Sequence, residues 1–140
     1  MKKGYTLIEL VICMAVILIF ASICFINIGA YKKMSILINS DYCESSIISF
    51  ICDSKKYCRN NNTIGTIVFD VNNDLIIFSI GGGIKQVYRL PKDFTLEDVK
   101  TDKGYNIITI DKTGFTSDAC TIKYHDNDNY FKPKSITICV

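Results

Sequence analysis

The sequence predicts an α+β fold: one long N-terminal helix over about residues 5–58, its outer half packed on a C-terminal antiparallel sheet. Three observations carry this. Residues 10–31 contain no Asp, Glu, Lys or Arg. Residues 32–58 keep a helical recurrence of apolar positions but add charge. From Thr66 onward, short β-branched runs alternate with Asn, Asp and Gly. The 140 residues suit one domain rather than two. At 49% hydrophobic and 21% charged, the chain is not of disordered composition. A formal charge of +2 excludes a strongly basic nucleic-acid binder, and no clear nucleic-acid site is expected.

The uncharged run comes first. Its 22 residues would rise about 33 Å as a helix, enough to cross a hydrocarbon core of about 30 Å. A helix apolar on every face for that length is foreign to a globular surface. Glu9 precedes the run, and a carboxylate at mid-bilayer costs about 2.5 kcal/mol or more. A secretory signal would be shorter and would end in a small-x-small site, which residues 27–30 do not offer. A plain anchor explains the length but not Glu9.

The opening residues Met1-Lys2-Lys3-Gly4-Tyr5-Thr6-Leu7-Ile8-Glu9-Leu10 resemble the class III signal of type IV prepilins and type II secretion pseudopilins. The resemblance implies a leader over residues 1–4, with Lys2 and Lys3 as its basic part. It implies cleavage by a prepilin peptidase between Gly4 and Tyr5, and N-methylation of Tyr5. Glu9, then the fifth mature residue, would set axial register by pairing with the terminal amine of a neighbouring subunit. A carboxylate in lipid is tolerated when a cation meets it. The implied partners are other pilin or pseudopilin subunits, the peptidase, an inner-membrane assembly platform and the lipid bilayer. The implied topology is a cytoplasmic N-terminus, a membrane and assembly helix over 5–31, and an extracytoplasmic domain over 32–140. The chain departs from the family at Tyr5, where phenylalanine is usual. It departs again at Ile26, where many major pilins carry proline; Pro91 and Pro133 are its only prolines. A proline kink is therefore excluded in this helix, leaving Asn27 and Gly29 as weaker candidates for a bend.

Beyond Tyr31, residues Met34, Leu37, Ile38, Tyr42, Ile48, Ile51 and Cys52 recur at helical spacing and form the predicted buried face. Lys55, Lys56 and Arg59, then Asn60-Asn61-Asn62 and Gly65, signal the helix end near Cys58. The helix would then run about 80 Å.

Strands are predicted at 66–71 and 75–80, flanking the turn Asn72-Asn73-Asp74, and then at 84–90, 106–111, 119–124 and 135–140. Residues 92–105 read as a polar connection with at most a short strand at 94–96. The pattern of hairpin, Leu90-Pro91, I-D-K-T-G-F and then A-C-T-I-K-Y resembles GspH/FimT-type minor pseudopilins and the minor pilins of Gram-positive competence systems. Gly114 fits that family's turn, while Ala119 stands where a second glycine is common. Heavy isoleucine and asparagine use, with seven cysteines, fits an anaerobic Gram-positive bacterium such as a clostridium.

Other motifs carry little chemistry. Gly81-Gly82-Gly83 lacks the Lys-Ser/Thr and helix of a phosphate loop and reads as a strand turn. His125 stands alone in a predicted polar loop. Residues 126–129 are oxygen-rich but lack the bidentate glutamate of a calcium loop, and no metal or other cofactor is expected. No nucleophile–base–orienter set exists, so the chain is read as a non-enzyme. Cys13 and Cys24 fall in the span. Among Cys43, Cys52, Cys58, Cys120 and Cys139, an odd number leaves at least one unpaired. Cys52 and Cys58 could reach Cys120 or Cys139, and the sequence leaves paired and reduced states open. The function expected is a minor pilin or pseudopilin subunit; the alternative is a membrane-anchored extracytoplasmic binding or sensor domain that never polymerises.

Overall fold

The computed structural model describes residues 6–101 and 104–139, with residues 24–27 described by backbone alone. Among the described residues, one helix, α1 (Leu7–Asn61), precedes seven strands. The chain forms two compact units, residues 1–37 and 38–140.

The first unit carries the apolar part of α1. Ala21 is half-buried, and the other side chains described from Leu7 to Tyr31 are exposed. This segment is long and apolar enough to cross a membrane. Ser22 Oγ donates to the Leu18 carbonyl at 2.8 Å, which satisfies its hydroxyl within the helix. Gly29 continues the helix without a break.

The second unit holds the rest of α1 and the strands. The helix ends at Asn61, three residues later than expected. Asn62 adopts φ 50°, its N–H bonds to the Arg59 carbonyl at 3.4 Å, and the Thr63 N–H bonds to that of Cys58 at 3.0 Å. This is a Schellman cap with asparagine in the left-handed position. Gly65 is required for a different reason. A Cβ there would meet a Phe78 ring carbon at 2.5 Å and Cys58 Sγ at 2.6 Å.

The strands are β1 (Gly65–Asp70), β2 (Leu75–Ile80), β3 (Gly83–Arg89), β4 (Phe94–Thr101), β5 (Ile107–Ile110), β6 (Cys120–Asp126) and β7 (Lys134–Ile138). They form two antiparallel sheets rather than one, ordered β3-β2-β1-β5 and β4-β6-β7. In the β1–β2 turn, Asp70 accepts from the Asn72 and Asn73 amides and from Asn73 Nδ2 at 2.7–3.2 Å. Those bonds, that from the Asn73 side chain foremost, hold its carboxyl below the usual range. Asp74 Oδ1 accepts the Leu96 amide at 2.8 Å, tying the turn of one sheet to β4 of the other. Gly81 and Gly82, at φ 57° and 83°, form the two-residue β2–β3 turn expected of the glycine run.

The polar connection predicted for 92–105 is instead largely an eight-residue strand, β4. Its register slips at Glu97, so the core positions Phe94, Leu96 and Val99 are spaced by two and then by three. The extra residue of a bulge breaks the alternation that marks a strand in sequence.

The buried face of the helix also differs from the expected one. Within residues 38–61 it comprises Ser40, Cys43, Ile47, Phe50, Ile51, Ser54 and Cys58. Of the seven predicted residues only Ile51 belongs to it; Met34, Leu37, Ile38, Tyr42, Ile48 and Cys52 are exposed. Small residues let both sheets approach. Phe50 meets Tyr88 of β3 with ring centres 6.1 Å apart, and Tyr57 meets Phe78 of β2 edge-on at 6.0 Å. On the other sheet, Tyr124 Oη donates to the Ser40 carbonyl at 3.5 Å. Lys134 Nζ pairs with Asp41 at 2.8 Å.

Candidate functional site

The candidate site is the head of α1. Thr6 precedes the helix, and its carbonyl accepts the Leu10 amide at 3.3 Å. Thr6 is therefore the N-cap and Glu9 the third helical residue. The Thr6 amide donates to Glu9 Oε2 at 2.8 Å, and the Thr6 hydroxyl donates to the same oxygen at 3.0 Å. The Glu9 amide approaches Thr6 Oγ1 at 3.4 Å. This is a capping box, and it places the carboxylate where the helix dipole favours a negative charge. Thr-x-x-Glu is readable in sequence, and reasoning that set Glu9 against the lipid alone passed over it.

Around this polar head the surface is apolar. Leu7 is 83% exposed and Ile8 68%. The carboxylate therefore sits among exposed aliphatic side chains at the start of a helix long and apolar enough to cross a membrane. Lys2, Lys3, Gly4 and Tyr5 lie outside the described residues.

Residues 1–25 match the family model described as the prokaryotic N-terminal methylation motif. The chain carries a type IV pilin-like N-terminal signal. That signal implies processing by a prepilin peptidase and assembly with other pilin subunits, and it points to a structural subunit rather than an enzyme. No curated protein and no solved structure shows a significant match to the chain.

The other candidate residues are dispersed. Cys43, Cys52, Cys58, Cys120 and Cys139 are free thiols, with Cys52 and Cys139 exposed. Burial pushes Cys43 and Cys120 up to about 11 and raises Cys58 as well. Cys58 packs under Gly65 of the first sheet, whereas Cys120 begins β6 of the second. His125 is not in a loop: it lies in β6, with Nε2 3.2 Å from Thr95 Oγ1 of β4. Asp126, the first carboxylate of the oxygen-rich run, is 3% exposed. It accepts the Tyr130 and Phe131 amides at 2.6 and 3.2 Å. Its lone pairs close a turn.

Proposed function

We propose that this chain is a minor pilin or pseudopilin subunit of a type IV pilus, type II secretion-like or competence filament. The observation that carries the reading is Glu9 at the third helical position of an apolar helix, within the matched methylation motif. The unprocessed chain lies in the cell membrane with residues 1–4 cytoplasmic and residues 32–140 outside. Removal of residues 1–4 gives Tyr5 a free amine, which is then methylated. The helix leaves the lipid and packs among others, and the amine of a neighbouring subunit meets Glu9. Until then, Thr6 keeps the carboxylate hydrogen-bonded at its own helix end. The exposed residues Met34, Leu37, Ile38, Tyr42 and Ile48 support the reading, because they extend the apolar surface of α1 past the membrane segment.

One observation favours the plain-anchor alternative. The capping box gives Glu9 a local task that needs no partner. Glu9→Gln separates the two readings, because glutamine completes a capping box but carries no charge. In the filament reading, Glu9→Gln keeps the cap and lowers recovery in sheared filaments by about ten-fold or more, as expected for an amine left unpaired in an apolar setting. Recovery equal to that of the unsubstituted chain would refute charge pairing. Absence of the unsubstituted chain from filaments would leave the anchor.

A further inference from the structure

At the far end of α1 the second unit has an open cleft of about 350 Å³. It is lined by Cys52, Lys55, Lys56 and Arg59 of the helix and by Thr113, Gly114 and Phe115 of the turn after β5. The two walls are held close. Gly114 sits at φ 87°, and a Cβ on it would come within 2.9 Å of the Lys55 carbonyl and 3.3 Å of Arg59 Cβ. Only glycine fits, so the turn and the cationic face of the helix are fixed against each other.

The charge is one-sided. Lys56 pairs with Asp53 at 3.6 Å, both being more than half exposed. Among the described residues, no carboxylate lies within ion-pair distance of Lys55 or Arg59. Asp111, the nearby acid of the turn, accepts the Thr113 amide and hydroxyl and the Phe115 amide at 2.6–2.9 Å. Those bonds, that from the Thr113 side chain foremost, hold its carboxyl below the usual range and direct it into its own loop. Opposite the cations, the Phe115 side chain is 64% exposed. Cations in the last turns complement the helix dipole. That does not account for a large aromatic ring left in water beside them.

We propose that this cleft binds single-stranded nucleic acid, with a backbone phosphate on Lys55 and Arg59 and a base stacked on Phe115. Uncompensated cations beside an exposed ring are the parts such binding uses: the charges track the backbone and the ring takes any base. An acidic peptide would use the cations and leave the ring idle. The cations and Phe115 are more than fifty residues apart in sequence, and the chain's net charge is small, so composition hides the site. The inference stands apart from the filament reading, because binding needs neither processing nor assembly.

The test uses the full chain in phosphatidylcholine nanodiscs and the fluorescence anisotropy of a short labelled oligothymidylate. Binding is expected at low salt and should weaken as salt rises. Lys55→Gln with Arg59→Gln should weaken it by about ten-fold or more and flatten the salt dependence. Phe115→Ala should weaken oligothymidylate by about five-fold or more while leaving inorganic polyphosphate unchanged. Lys92→Gln, away from the cleft, should bind as the unsubstituted chain does. Absence of binding at low salt, or a double variant that binds normally, would overturn the proposal. So would polyglutamate competing as well as oligothymidylate with Phe115→Ala changing neither, which would assign the cleft to an acidic protein.

Discussion

Thr6 and Glu9 satisfy donors of the same helix end before any partner arrives, and this determines how substitutions there behave. Thr6→Ala removes the cap at a cost of about 1 kcal/mol, or roughly five-fold faster exchange of the Glu9 amide by hydrogen–deuterium measurement. Unchanged exchange would mean that the capping box is not formed in the membrane. At Gly65 the constraint is steric. Gly65→Ala places a methyl on Phe78 and Cys58, and the predicted loss is about 1–3 kcal/mol, read as a lower Tm. The buried thiols predict a pH dependence. Their folded pKa values lie above those of the unfolded chain, so the folded state keeps protons that the unfolded state releases. For Cys43 and Cys120, raised from 9.0 to about 11 mainly by burial, stability is full below pH 9 and falls as pH rises from 9 to 11. Thermal melts across that range check the sign. A maleimide at pH 8 should label Cys52 and Cys139 in the native protein and reach Cys43, Cys58 and Cys120 only on unfolding.

At the scale of elements, one edge of each sheet is blunted. β3 carries a register slip at Lys85, and β4 one at Glu97; both are edge strands, and both extra residues are charged and exposed. Such bulges prevent a sheet from continuing into another molecule. Deleting Glu97 would restore the two-residue spacing of Phe94, Leu96 and Val99. The variant is predicted to fold and to self-associate more than the parent in sedimentation velocity; a monomeric variant would count against the edge argument. The same bulge explains what the sequence concealed. The β1–β2 hairpin was legible because apolar runs flank an Asn-Asn-Asp turn, and the β2–β3 hairpin because glycines mark its turn. β4 was not, because its alternation holds only over 94–96. The division into two sheets was equally hidden, since β4 and β5 are neighbours in sequence but pair with β6 and β1. The helix misled in another way. Met34, Leu37, Ile38, Tyr42, Ile48 and Cys52 recur at helical spacing but are exposed, whereas Ile47, Phe50 and Ile51 face the core together with the small residues Ser40, Cys43, Ser54 and Cys58. There, smallness permits close packing, and Ser54 satisfies its hydroxyl on the Phe50 carbonyl at 2.8 Å. At the candidate site, the acid and its apolar setting were legible and the cap was overlooked.

For the molecule as a whole, these features divide the labour. A bulge blunts one edge of each sheet, and the apolar part of α1 is exposed. In the filament proposed above, the Glu9 carboxylate would meet the amine of a neighbouring subunit. The formal charge fits the same account. In the proposed processing Lys2 and Lys3 leave with residues 1–4, and without them 14 basic residues balance 14 acidic ones. On that proposal the charge excess lies in the removed segment, and the mature chain is formally neutral. The most direct test is the intact mass of the full chain after co-expression with a prepilin peptidase. The account predicts loss of residues 1–4 and one added methyl group on the Tyr5 amine. A chain that keeps residues 1–4 beside an active peptidase would contradict it.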